Sequence, residues 1–349
     1  MLRAAVIGAG EIALQHLACL RALPTVTLAG VCDQSRTVAE YAAERFGAGA
    51  WFTDHRAMLE AIRPDVVHVT TPPASHFQLA MDALDAGAHV IVEKPATMTR
   101  DELSVLLRSA ADKKRVLIED YNYLFNAPVQ RIASLIGSGE LGDVVHVDVV
   151  LCLGLSESNQ PEVQGPISSE RSGPSGAIGE YLPHLGSLAH FFAGRHRAVR
   201  SHWPQRSVRS SQPWGELRAV IDAERATAMI TFTAQGQPDT FRVRVHGSRM
   251  RVSADLYDMT VVVDRVGDGP RPIARVLNRL RGARDLRRTA VRGFFSKLTD
   301  GSGIYDGLWS LLARTYAALE SGTAPPVSPR QIAEVNDLVA ALGAEEFRF

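Results

Sequence analysis

Gly8, Gly10 and Ala13 fall in the spacing G-x-G-x-x-A directly after an apolar run, and Asp33 closes a second apolar run about twenty residues later. These residue types at this spacing suit one task, which is holding a dinucleotide. Gly8 permits a tight strand-to-helix turn, and Gly10 lets the backbone approach a pyrophosphate. Ala13 lets the helix pack closely on the strand while its N-terminus faces the phosphate charge. Glu11 and Ile12 occupy the intervening helix start and are counted with the cofactor-binding residues. Asp33 is expected to accept the ribose hydroxyls. Its charge opposes a ribose 2′-phosphate, so NAD is expected over NADP, with Arg36 close enough to swing toward such a phosphate.

Strands and helices must position these groups, and the pattern after Asp33 alternates between them. Helices are expected at Thr37 to Phe46, Asp54 to Ala61, Ser75 to Ala86 and Arg100 to Lys114. Strands are expected from Asp65, from His89 and in the short run RVLIE. The alternation predicts an α/β fold with a doubly wound parallel sheet over residues 1–122, and ligands outside the carboxyl ends of its strands. Three groups stand at such ends: Thr71-Pro72-Pro73 with His76, Glu93-Lys94-Pro95, and Tyr121-Asn122. Thr71, Pro72, His76, Glu93, Lys94 and Asn122 are therefore expected beside the cofactor. A helix cap at Ser75 is the plainer reading of one of these segments, and the two readings are compatible.

From Gly142 onward strands are separated by turns, which predicts a second α+β domain over residues 123–349 with an open, mainly antiparallel sheet. A polar loop from Ser156 to Pro174, carrying Asn159, Gln160 and Arg171, precedes a helix expected from Gly176 to Phe192. Helices at Tyr305 to Glu320 and Ser328 to Leu342 close the chain. At 349 residues two domains are the natural expectation. The 38 basic and 38 acidic residues balance, which removes a global electrostatic case for a nucleic-acid or membrane partner. No apolar run approaches membrane-span or signal length, so a cytoplasmic location is expected. Cys19, Cys32 and Cys152 have no metal-like spacing and read as reduced, buried small residues. His190, His196 and His202 read as surface residues, and no pair of histidines has metal spacing, so no metal is expected.

The three strand-end motifs, taken with the segment Gly176-Ala177-Ile178-Gly179-Glu180-Tyr181-Leu182-Pro183-His184, carry a resemblance. The chain resembles the glucose-fructose oxidoreductase, inositol dehydrogenase and rhizopine catabolism family, Gfo/Idh/MocA. Glu93-Lys94-Pro95 downstream of the nucleotide fingerprint is the most specific mark. The resemblance implies a Rossmann domain followed by a substrate domain, and a substrate site lined by the lysine of E-K-P and by an aspartate-x-x-x-histidine pair. Here these positions hold Lys94, His184 and, in place of the aspartate, Glu180. Oxidising a secondary alcohol removes a hydride from carbon and a proton from oxygen, so His184 is expected as the base. Glu180, one helical turn earlier, would orient the ring, and Lys94 would supply positive charge where alkoxide character develops. Ser187 stands where the family often carries a second aspartate, and Tyr123-Leu124-Phe125 replaces a segment that often holds an arginine.

The implied activity is NAD(P)-dependent oxidation or reduction at a secondary hydroxyl of a sugar, cyclitol or sugar derivative, nucleotide-sugars included. Two alternatives stand beside it: a redox-neutral NAD-dependent glycosidase of the same family, and a non-catalytic NAD- or ligand-sensing protein. Members pair through the outer face of the second-domain sheet, so a homodimer or homotetramer is expected. The arginine-rich stretch from Arg271 to Lys297 has no place in the family pattern. It reads as a helical insertion with a solvated basic face, or else as a contact for an anionic substrate or membrane surface.

Overall fold

A computed structural model describes residues 1–154, 179, 181–204, 215–266, 276–284, 286–287 and 305–344. The chain divides into two units: Met1–Asn122 with Leu308–Ala333, and Tyr123–Gly307 with Glu334–Phe349.

The first unit alternates strands β1 (Leu2–Ile7), β2 (Val26–Cys32), β3 (Trp51–Phe52), β4 (Val66–Val69), β5 (His89–Val92) and β6 (Leu117–Glu119) with helices. These are α1 (Glu11–Ala22), α2 (Arg36–Phe46), α3 (His55–Ile62), α4 (His76–Asp85) and α5 (Arg100–Asp112). All strand pairs are parallel, in the order β3-β2-β1-β4-β5-β6. Helices on both faces explain the near-continuous burial of β1, β4 and β5, which read as Ala, Val and Ile runs rather than as alternations. Local signals set the helix starts. Asp54 accepts the Arg56 N–H at the head of α3, and Thr99 and Glu102 form a reciprocal capping box at α5.

The second unit holds α6 (Ala127–Gly137), β7 (Val144–Gly154), α7 (Leu182–Ala193), β8 (His196–His202), β9 (Glu216–Ala223), β10 (Thr227–Thr233), β11 (Gln235–Gly247), β12 (Met250–Asp255) and β13 (Thr260–Arg265). Its seven-stranded sheet runs β13-β12-β11-β7-β10-β9-β8, antiparallel except for the β7–β10 pair. Strand β7 alternates buried and half-buried residues along its length, the signature of a sheet with one covered face. Helix α7 lies against β7 and β10 as that cover, and eleven of its residues are buried. Helices α8 (Asp306–Ser321) and α9 (Pro329–Ala344) contribute residues to both units.

Cys19 and Cys32 are free and buried, and Cys152 is half-buried. His190 departs from its expected surface position: it is buried and bonds Glu334 at 2.8 Å, a pairing between segments far apart in sequence. Within the basic stretch, residues 276–284 are helical, with Val276 and Leu280 exposed; 271–275, 285 and 288–297 lie outside the described residues, as does the polar loop. No helix among the described residues is long and apolar enough to cross a membrane.

Candidate active site

The turn after β1 is built for close backbone approach. Gly8 has φ +91°, and a Cβ there would stand 2.8 Å from the Thr71 methyl and 2.9 Å from the Thr70 carbonyl. The Thr70 hydroxyl donates toward the carbonyls of Ile7 and Gly8, pinning the turn to the end of β4. Gly10 caps α1 without any side-chain hydrogen bond, and a Cβ at Gly10 would meet nothing within 4 Å. The first N–H groups of α1 thus receive no side-chain acceptor from the cap residue, as a helix start that takes an anion requires. Ala13 is fully buried, Ile12 half-buried and Glu11 exposed.

Asp33 stands at the end of β2 with its carboxylate fixed by backbone. Its Oδ2 accepts the Ala9 N–H at 2.9 Å, and its Oδ1 accepts the Ser35 N–H at 2.9 Å. This ties the acidic residue directly to the glycine turn and leaves further lone pairs for hydroxyl donors. Arg36 is exposed, pairs with Glu40 at 3.7 Å and lies 5.1 Å over the Trp51 ring. It is directed along its own helix and toward β3.

Around the ends of β4, β5 and β6 the strand-end motifs interlock. His76 is fully buried, with Nδ1 2.8 Å from the Pro95 carbonyl and Nε2 2.7 Å from the Thr71 carbonyl. The ring thus bridges the Thr71-Pro72 turn and the Glu93-Lys94-Pro95 turn, whose Lys94-Pro95 peptide is cis. The Ala96 N–H donates to Glu119, whose other oxygen accepts the Tyr121 hydroxyl. Ser75, the expected cap, donates to Thr71 Oγ1 and to the Pro72 carbonyl instead of capping α4. Asn122 is half-buried, and its Oδ1 is buried without a hydrogen-bond partner among the described residues, an acceptor that suits a ligand N–H.

Glu93 turns inward, onto α1. Its Oε1 accepts from His16 Nε2 at 3.1 Å, and Asp120 Oδ2 lies 3.8 Å from the same nitrogen. Burial alone would raise the Glu93 pKa, but the His16 bond and charge outweigh it and hold the pKa at about 2. Asp120 goes the other way: burial first, and the Glu93 charge second, push it well above the ordinary carboxylate range.

In the second unit His184 is buried on α7 with its ring edge-on to Tyr123 at 4.7 Å, and Tyr123 in turn meets Phe241 at 4.7 Å. Burial, then the neighbouring Tyr181 and Tyr305, push the Tyr123 phenol up to about 12. Ser187 is fully buried and donates to the His184 carbonyl at 3.0 Å, inside its own helix. Glu180 lies outside the described residues.

A nucleotide turn locked to an acidic strand end, followed by an E-K-P turn at a neighbouring strand end, has a direct counterpart among protein families. Residues 2–121 match the family described as oxidoreductase, NAD-binding Rossmann fold, GFO_IDH_MocA. That match is to the Gfo/Idh/MocA family and covers the first unit's sheet. A curated relative, D-glucoside 3-dehydrogenase of Escherichia coli (strain K12), is 34% identical over 144 residues, 41% of this chain and 41% of its own length. A second, dTDP-3,4-didehydro-2,6-dideoxy-alpha-D-glucose 3-reductase of Streptomyces violaceoruber, is 34% identical over 144 residues, 41% of this chain and 42% of its own. The chain thus spans about two-fifths of these two relatives. A solved levoglucosan dehydrogenase in complex with NADH and levoglucosan superposes with TM-score 0.78 at 18% identity, covering 98% of this chain and 97% of that one, a likeness of fold.

Within residues 2–121 the geometry joins Gly8, Gly10 and Asp33 around one turn, and links the Thr71 turn through His76 to the Glu93-Lys94-Pro95 turn. Lys94 belongs to the first unit and His184 to the second. Sequence reasoning missed Thr70, His16, His68, Glu119, Asp120 and Tyr316. His16 carried a legible signal, a histidine among the apolar positions of α1. Tyr316 carried none, because its partner is 248 residues away.

Proposed function

We propose that the chain is an NAD-dependent dehydrogenase or reductase acting on a secondary hydroxyl or ketone of a sugar, cyclitol or sugar derivative. The observation that supports this most is the glycine turn locked to Asp33. An uncapped helix N-terminus, a backbone with room for a pyrophosphate and a carboxylate oriented by two amides together fit an adenosine-diphosphate moiety. The Asp33 carboxylate, already fixed in place, favours the 2′-hydroxyl of NAD over a 2′-phosphate. NAD, when bound, accepts or returns the hydride.

The chain's own residues manage the proton and the charge. Lys94 leaves β5 at the carboxyl end of the sheet, where a positive charge favours alkoxide character on a substrate oxygen. His184 is the proton acceptor, since its ring partner Tyr123 keeps its phenolic proton at neutral pH. Glu180 is assigned the orienting role on sequence alone, as the residue at the position of the family's aspartate. Both relatives described above carry position 3 of a glucose-type ring in their names, which supports carbon 3 as the reacting centre here. The assembly is a homodimer or homotetramer joined through the outer face of the seven-stranded sheet.

The test is NADH absorbance with purified protein, NAD and a panel of methyl glucosides, levoglucosan, myo-inositol and UDP-N-acetylglucosamine, beside Lys94→Ala. Turnover on a carbohydrate that falls about 100-fold or more in the variant is the expected result. Silence across the panel with NAD binding intact by calorimetry would favour redox-neutral glycoside cleavage or ligand sensing.

A further inference from the structure

Five polar side chains meet in the interior of the first unit: Tyr316 on α8, His68 on β4, His16 on α1, Glu93 after β5 and Asp120 after β6. None is more than 8% exposed. Tyr316 Oη lies 2.9 Å from His68 Nε2, His68 Nδ1 lies 2.8 Å from His16 Nδ1, and His16 Nε2 lies 3.1 Å from Glu93 Oε1. The two imidazoles meet edge to face, and His68 stacks on the Tyr316 ring. Such a row costs desolvation at every member unless each proton finds an acceptor.

We propose that Tyr316, His68 and His16 form a one-way donor chain that ends on Glu93, holds the Glu93-Lys94 turn, and thereby sets how reactive the Lys94 amine is. The importance of Lys94 rests on the proposed function; the chain itself does not.

With one proton on each imidazole, proton accounting sets the direction. Glu93 is a carboxylate and only accepts, so the His16 Nε2 proton points at it. The two Nδ1 atoms share one proton between them. His68 is neutral, since burial first and the neighbouring His16 second hold it well below the ordinary histidine range. His68 Nδ1–H then donates to His16 Nδ1, and Tyr316 O–H donates to His68 Nε2. Every ring nitrogen is then satisfied. Asp120, buried beside the Glu93 charge, stays an un-ionised acid whose proton is directed at the Glu93 carboxylate. One negative charge remains in the row, at Glu93, adjacent in sequence to Lys94. The other ionisable groups acting on the row are Cys19 from α1 and Asp65 from the start of β4.

Loss of the Tyr316 hydroxyl breaks this order. His68 Nε2 is left as a buried acceptor without a donor. Moving the His68 proton there sets two bare Nδ1 atoms face to face, unless His16 takes a second proton and neutralises the Glu93 charge. The positioning role therefore predicts a change at Lys94 from a substitution on a distant helix.

The experiment uses the full-length protein with NAD. Long-range proton–nitrogen NMR on histidine-labelled wild type should show His68 protonated at Nδ1 and bare at Nε2, and His16 protonated at Nε2 and bare at Nδ1. The opposite tautomers, or a His16 protonated on both nitrogens, would overturn the chain. His16, Glu93 and Asp120 also present ligand atoms within 4.8 Å of one another. Stoichiometric zinc or manganese by elemental analysis, with His16 Nε2 bare, would therefore make this a metal centre and overturn the proposal. In Tyr316→Phe, labelling of Lys94 by trinitrobenzenesulfonate at pH 8, read by mass spectrometry against Lys113 and Lys114, should rise about tenfold. An unaltered rate in a folded variant would overturn the link to Lys94, and the wild-type tautomers decide the chain if that variant does not fold. Undiminished turnover in Lys94→Ala would remove the catalytic reading of Lys94 while leaving both these readouts in force.

Discussion

Asp33 concentrates cofactor choice in one carboxylate that two backbone amides hold in a single orientation. Asp33→Ser should lower kcat/KM for NAD about 100-fold, the loss of roughly two hydrogen bonds to a charged acceptor, and narrow the gap to NADP. Paired kinetics with the two cofactors measure this. Asp120 gives a second prediction, with a definite sign. Its pKa is raised in the folded protein from 3.8, so above pH 3.8 ionisation of the unfolded chain draws protein out of the folded state. Asp120→Asn removes that pull, and the melting temperature should rise at pH 7, with the gain shrinking as pH falls toward 3.8. Glu93 has the opposite linkage: its carboxyl is depressed from 4.5 to about 2, so its stabilisation is present at neutral pH and lost as acid approaches 2. Acid melts of wild type and Glu93→Gln compare the two directly.

Helix α7 is the element on which the second unit turns, because it is buried almost throughout and carries His184. Gly186 lets it approach α9: a Cβ there would meet a Val339 methyl at 3.0 Å and Val335 at 4.0 Å. Gly186→Leu should destabilise by about 3 kcal/mol through overpacking, read by denaturant melts. Element existence was legible where periodicity was strong, so the helices of the first unit fall within about two residues of expectation. Strand β3 was not, being two residues long, and α6 and β8 were missed. Strand β8 reads His196-Arg197-Ala198-Val199-Arg200, an edge strand whose exposed positions are Arg197, Ala198 and Arg200 and whose hydrophobic alternation is thin. The site was legible where chemistry is local, as in Gly8, Gly10 and Asp33. Its buried support was not, since a pairing such as His16 with Glu93 spans 77 residues and leaves no periodic trace.

At the scale of the whole molecule, the outer face of the seven-stranded sheet bears on assembly. Val220 and Met229 face each other across β9 and β10 and are 53% and 41% exposed. A Val220→Asp substitution on the proposed contact face should shift the protein toward monomer in analytical ultracentrifugation, with the melting temperature of the monomer little altered. The first unit has a different lesson. Its sheet is encoded in the first 119 residues, yet Leu308–Ala333 belongs to the same unit, and the His68 ring waits for Tyr316. During synthesis, a nascent chain that has just released β6 from the ribosome lacks that closing segment and must guard an unfinished core while nearly two hundred further residues are added. The nucleotide-binding fold is thus written first and completed last, which makes the emerging chain a natural client for chaperones.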